Sequence, residues 1–153
     1  MTTRTESKRA RAALDARLTP LGPSEKYTPP RAGWVRAIRD ALGMSAADLG
    51  RRLGVSHASV FELERSERAR TARIDTLQRA AEALDCTLVY AFLPRRGLET
   101  TARAQAERVA QRELRGVQHT MALEDQGEPV EPAVHEEIVQ QLLASKGLWS
   151  REP

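Results

Sequence analysis

The chain has 153 residues and a formal net charge of +3, a length that suits one compact domain with an extension, or a small domain carrying an added helical part. Hydrophobic residues make up 41% but aromatics only 4%, so the core must be built of Leu, Ala, Val and Ile, and the wealth of Ala, Leu, Arg and Glu favours helix. No apolar run reaches the length of a membrane span and no basic start leads into an apolar stretch. The single cysteine, Cys86, excludes an intrachain disulfide framework and a multi-cysteine metal site. A cytoplasmic protein is expected. Its charge is uneven: residues 1–31 carry +4, residues 32–96 carry +3 and residues 97–153 carry −4. A basic front and an acidic tail point weakly to nucleic acid at one end, although ordinary solvated surfaces would look the same.

In chain order, residues 4 to 18 read as a basic, Ala-rich helix with Leu14 and Leu18 four apart, ending near Pro20. Gly22 to Pro30 is a linker, because three prolines and a glycine do not sustain helix. From Arg31, the residues Trp34, Ile38, Ala41 and Leu42 fall on one apolar face and Gly43 stops the helix. Ser45 with Asp48 three later is a capping box that opens a helix through Leu53. Gly54-Val55 is a tight turn, and Ser56 caps the following helix with Val60 and Leu63 inward. Ile74, Leu77, Ala81 and Leu84 mark one more helix.

The pattern then changes. Thr87, Leu88, Val89, Tyr90, Ala91, Phe92 and Leu93, ended by Pro94, read as a strand that is apolar on both faces. No second strand of similar quality exists in the chain, so the economical partner is its own copy across a two-fold axis. A buried helical continuation is the alternative, since short apolar runs are ambiguous. Leu98 to about Glu124 is a long helix with Ala110, Leu114, Val117 and Met121 along one stripe. Gly127 to Pro132 breaks it. A last helix follows from Pro132, with Glu136 and Glu137 near its positive end and Val134, Ile138 and Leu142 repeating every four residues. Lys146 and Gly147 close it, and Leu148 is placed to pack back.

The informative segment is MSAADLGRRLGVSHASVFELERSE, residues 44–67. Two short capped helices meet at Gly54-Val55, and Gly50 lets their axes approach. Leu49, Leu53, Val55, Val60 and Leu63 supply a shared core. The second helix of this pair is left with an outward face of His57, Ala58 or Ser59, Phe61 and Glu62, and such a helix fits the major groove of DNA. The fold expected is mainly α: a five-helix-type helix-turn-helix core with one β-strand paired across a dimer, plus N- and C-terminal helices. The domains expected are 1–30, a basic helix and linker; 31–96, the helix-turn-helix domain with its terminal strand; and 97–153, a helical extension with an acidic tail.

Ser45, Gly50, Gly54-Val55-Ser56 and Glu64-Arg65 together resemble the phage-repressor type of helix-turn-helix (the XRE class). Ser66 departs from it, standing where a Gly usually follows Glu-Arg, and the loop from Glu67 to Arg73 is longer and basic. The stretches RAGWVRAIRDALGMS, RAAEALDCTLVYAFLPR and HTMALEDQ resemble a narrower family, mobile mystery protein A, over about residues 10 to 145. That family is typically encoded beside a Fic-domain partner. The resemblance implies a DNA-binding regulator, dimeric through the strand, that represses an operon shared with such a partner, or an antitoxin that binds the partner directly.

The same resemblance places base-edge contacts at His57, Ala58, Ser59, Phe61 and Glu62. Phosphate candidates are Ser45, Ser56 and the helix starts they cap, with Arg51, Arg52, Arg65, Arg68, Arg70 and Arg73. Some of these arginines are expected instead to pair with Glu64, Glu67 or Asp75. Trp34 reads as core. Thr120 and Glu124 are similar to the inhibitory helix motif of Fic antitoxins, although Asp125 departs from it, and Trp149 is a candidate partner anchor. His119 and His135 lie at no metal-ligand spacing, and no nucleophile–base grouping or phosphate loop is present. Binding to double-stranded DNA without a cofactor, rather than catalysis, is the expectation.

Overall fold

The structure is a computed structural model, and it describes residues 4–123, 132–145 and 147–150, with the side chains of 4, 5 and 117–123 outside that description. Its described helices are α1 (Arg4–Leu18), α2 (Trp34–Ala41), α3 (Ala46–Leu53), α4 (His57–Arg68), α5 (Ile74–Ala83), α6 (Leu98–Leu123) and α7 (Pro132–Ala144), with short 3-10 turns at Thr19–Leu21 and Ser24–Tyr27. No helix among the described residues is long and apolar enough to cross a membrane. The chain forms two compact units: Pro23–Ala91, and Met1–Gly22 together with Phe92–Pro153.

The unit of residues 23–91 holds α2 to α5. Its core is Val35, Ala46, Leu49, Val60, Leu63, Ala80 and Leu84, with Ile38, Met44, Leu53 and Leu77 packed against it. Each of these four helices stops in the same way. A backbone N–H bonds back five residues, from Met44 to Arg39 at 3.0 Å, Val55 to Gly50 at 2.9 Å, Thr71 to Ser66 at 2.9 Å and Cys86 to Ala81 at 2.8 Å. The residue just before each donor has positive φ, which is the left-handed stop that terminates helices. Gly43 and Gly54 take that conformation freely, whereas Arg70 and Asp85 adopt it despite their Cβ atoms. Because the stop falls at Arg70, Ser66 is inside α4, its hydroxyl donating to the Leu63 carbonyl at 2.8 Å. The helix therefore runs through Arg68, into what the sequence reads as loop.

The inner face of α2 is turned by one residue from the sequence reading. Val35 is buried, and Trp34 (44% exposed) and Leu42 (56% exposed) are not. The reason is a charge that the apolar pattern treats as outward. Arg39, one turn after Val35, is itself buried against Glu64 of α4, so the Val35–Arg39 edge faces the core.

The strand expected at Thr87–Leu93 is not seen, and the described residues contain no strand. None of residues 87–96 takes part in a backbone hydrogen bond among the described residues. A ladder needs a second edge, and the chain supplies none within this unit.

The other unit joins α1, α6 and α7. Ala106, Val109, Ala110, Val139, Leu142 and Leu148 form its core. The buried Leu148 returns to this core as the sequence implied, and its carbonyl accepts from the buried Gln105 amide at 3.5 Å. Asp15 of α1 caps α6: its carboxylate accepts from the backbone N–H of Leu98 at 2.8 Å and of Glu99 at 3.2 Å. Arg11 of α1 pairs with Glu99 at 2.6 Å, and Arg103 of α6 pairs with Glu136 of α7 at 2.7 Å. Of the expected stripe on α6, Ala110 is buried and Leu114 half-buried, while the side chains of Val117 and Met121 lie outside the described residues.

Candidate nucleic-acid interface

The pair α3–α4 is set by local chemistry at both helix starts. Ser45 Oγ accepts from the backbone N–H of Asp48 at 3.1 Å, and the Asp48 carboxylate accepts from the backbone N–H of Ser45 at 2.8 Å. This is the reciprocal box expected from the spacing. The Ser45 hydroxyl also donates to the Asp48 carboxylate at 2.5 Å, and Arg51 pairs with the same group. These bonds hold the Asp48 carboxyl below the usual carboxylate range, those from Ser45 first and Arg51 after them. The sign follows directly. A carboxyl whose folded pKa is depressed stabilises the fold above its unfolded value near ~4, and that contribution is lost as pH falls through the folded value. Acid unfolding of Asp48→Asn, followed by circular dichroism, is expected to show a shallower loss of stability below that range than the parent chain.

Ser56 caps α4 in the same manner, its Oγ accepting from the backbone N–H of Ser59 at 3.1 Å and lying 2.9 Å from the Ser59 hydroxyl. Between the two caps, Gly50 sits against the backbone of the turn. A Cβ built there would lie 2.7 Å from the Val55 carbonyl oxygen. The crossing is thus a contact of backbone on backbone, fixed further by the Val55 N–H bond to the Gly50 carbonyl at 2.9 Å.

The two faces of α4 are chemically distinct. Val60, Leu63 and Glu64 are buried; His57, Ala58, Ser59, Phe61, Glu62 and Arg65 are exposed. The base-edge candidates therefore share one solvent face. Phe61 is 53% exposed, and its ring meets the edge of His57 one turn earlier, with centroids 6.2 Å apart and planes at 87°. This edge-to-face contact orients an apolar ring outward, a shape that suits a thymine methyl.

Of the phosphate candidates, Ser45 and Ser56 have their hydroxyls engaged as caps. Arg52 donates to the Ala83 carbonyl at 2.7 Å, tying α3 to the end of α5. Arg51 pairs with Asp48, Arg65 with Glu62 at 3.5 Å and Arg73 with Asp75 at 3.2 Å. These three arginines are all well exposed, so their pairs hold weakly and can be exchanged for phosphate. Arg68 and Arg70 are exposed at the end of α4.

Of the acidic residues expected to pair with these arginines, Asp75 does so with Arg73, whereas Glu64 and Glu67 bond elsewhere. Glu64, 1% exposed, accepts from Arg39 Nε at 2.7 Å, and Arg39 also donates to the Met44 carbonyl at 2.9 Å. The bond to Glu64 raises the Arg39 pKa above its ordinary value. Glu67 caps α2 from outside, accepting the backbone N–H of Trp34 at 2.8 Å and of Val35 at 3.1 Å. Both ends of α4 are thereby anchored, one by Ser56 and one by Glu67. The reading of the sequence missed both roles; the signal for the first was a basic residue on an otherwise apolar inner stripe.

Elsewhere, Thr120 lies on α6 with its side chain outside the described residues, and Glu124 lies outside them altogether. Trp149 is 53% exposed. Among the described residues, no three His, Cys, Asp or Glu side chains are grouped to hold a metal.

Residues 35–90 match the family model described as Helix-turn-helix. No curated protein and no solved structure matches the chain. The matched segment runs from Val35 of α2 through α5 to the first residues of the apolar run, and a helix-turn-helix domain of this type supports a DNA-binding regulator.

Proposed function

We propose that this helix-turn-helix protein is a sequence-specific repressor that acts by binding alone and reads DNA with the outward face of α4. The observation that carries this reading is the segregation of that helix. Its inner face is locked by Val60, Leu63 and Glu64, while His57, Ala58, Ser59, Phe61 and Glu62 stand together in solvent. The few base contacts then come from the first turns of α4, and the arginines of α3 and of residues 65–73 hold the backbone. The dimer, paired through Thr87–Leu93, sets the half-site spacing.

The finer assignment rests on the resemblance to mobile mystery protein A. It makes the chain a cytoplasmic, nucleoid-associated autorepressor of an operon shared with a Fic-domain partner. A second reading, direct inhibition of that partner, is favoured by exposed Trp149 beside the acidic tail; failure to co-purify with the product of the neighbouring gene removes it.

Footprinting on DNA upstream of the gene, with affinities measured across a salt series, tests the repressor. Phe61→Ala and Glu62→Ala are expected to change which sites are protected, each by about 5- to 150-fold in discrimination, corresponding to ~1–3 kcal/mol for a base contact. Arg68→Ala is expected to weaken all sites alike and to reduce the slope of log affinity on log salt by about 1. Unchanged site preference in both α4 variants would show that another surface reads the bases.

A further inference from the structure

The segment after α5 presents three features together. Cys86 to Pro94 contains no charged residue, in a chain that is 29% charged. Its backbone groups from Thr87 to Leu93 make no hydrogen bond among the described residues, and none of these residues is held in the left-handed conformation that a strand excludes. Val89 and Tyr90 are 78% and 70% exposed. An open edge of this kind is ordinarily guarded by a charge or a proline within the strand, and here Pro94 comes only at its end.

Beside that edge lies an apolar groove of about 390 Å³. Trp34, Ile38, Leu77 and Ala81 are among the residues that line it, as are Thr87 to Val89, with the Glu67 carboxylate the one charged group in its wall among the described residues. This is where Trp34, expected in the core, is found. Residues 87–89 belong to both the groove wall and the open edge, so a strand paired with them would lie beside the groove.

We infer that the occupant is a second copy of this chain, and that the Tyr90 side chain of each copy fills the groove of the other. The inference rests on the dimeric reading above and adds the contact that would hold that dimer together. A second copy satisfies both needs at once, pairing the backbone and supplying an aromatic ring. In an antiparallel pair about Val89, Tyr90 of one copy stands opposite Leu88 of the other. Directly opposed residues project to the same face, and Leu88 lines the groove. The absence of charge from the run removes any like-charge penalty against self-pairing. The contact is isologous, so both grooves fill symmetrically.

The test uses the full chain. Light scattering at tens of micromolar establishes whether the parent chain is a dimer; a monomer overturns the dimeric reading and this inference together. In a dimer, Tyr90→Ala is expected to raise the dissociation constant at least tenfold, the loss that marks a tyrosine filling a pocket as a hot spot. A photoreactive benzoylphenylalanine at position 90, which keeps an aromatic ring there, is expected to give covalent dimers whose cross-linked peptides contain Trp34, Ile38, Leu77 or Ala81. Cross-links confined to residues 87–93, or to the groove of the same copy, would leave the dimer standing and sink the assignment of Tyr90 to the partner's groove.

Discussion

Replacing Glu64 with alanine is expected to cost about 3–5 kcal/mol of folding stability, the range for removing one member of a buried ion pair. Arg39 is 7% exposed, and without Glu64 its guanidinium keeps the Met44 carbonyl and the surface carboxylate of Asp40 but loses its one buried counter-charge. Since whole domains are stable by only ~5–15 kcal/mol, Glu64→Ala takes a large share of the margin. The compensated double variant Arg39→Met, Glu64→Leu separates charge from packing. It removes both charges at similar volume and is expected to unfold at a urea concentration close to the parent, because a buried pair often contributes little over apolar replacements. A double variant as unstable as Glu64→Ala would show that the pair adds net stability beyond filling space. Glu64 lies on the turn of α4 between Phe61 and Arg68, so the loss is expected to extend to DNA affinity.

The second large effect is expected at Gly50. A valine there places its Cβ 2.7 Å from the Val55 carbonyl oxygen, and its two methyl groups add to the crowding. The neighbour is backbone rather than a flexible side-chain end, so relief requires moving the turn. The expected loss is about 3 kcal/mol, the upper end of overpacking costs. Gly50→Ala should fall between, because alanine recovers about 1 kcal/mol of helix preference over glycine. The informative measurement is the pairing of urea unfolding with DNA titration. Displacing the turn re-aims α4, so Gly50→Val is expected to lose site affinity even at temperatures where it remains folded. A folded Gly50→Val chain with parental affinity would mean that the crossing of α3 and α4 is not what positions the reading face.

Much of the central unit is legible from residues a few places apart. Ser45 with Asp48, Gly54 at a helix stop and Ser56 before His57 are local signals, and each appears in the structure as the spacing implies. What escapes the sequence depends on partners far away along the chain. The face of α2 is set by a bond from Arg39 to a residue 25 positions on, so reading arginine as outward misplaces Trp34 in the core. Glu67 is drawn to the start of α2 rather than to a neighbouring arginine. The end of α4 shifts because Arg70 accepts a conformation that the expected glycine would have offered earlier. The apolar run at 87–93 is the opposite case: its pattern is plain, but among the described residues no backbone group pairs with it.

The capping of α6 by Asp15 has a consequence for how the chain is made. The two ends of that bond are 83 residues apart, and all of residues 23–91 lie between them. During synthesis, the segment of α1 emerges first, and Asp15 meets the helix start it caps only once Leu98 has followed the whole central unit out of the ribosome. The central unit closes over short separations and folds without waiting, whereas the outer unit must bring together two distant stretches, a slow step because long loops are closed at an entropic cost. The helix-turn-helix is in this sense an insertion in the body made by α1, α6 and α7. The outward face of α4 is formed before that body exists, and until then the segment that becomes α1 lacks the helix start that Asp15 caps.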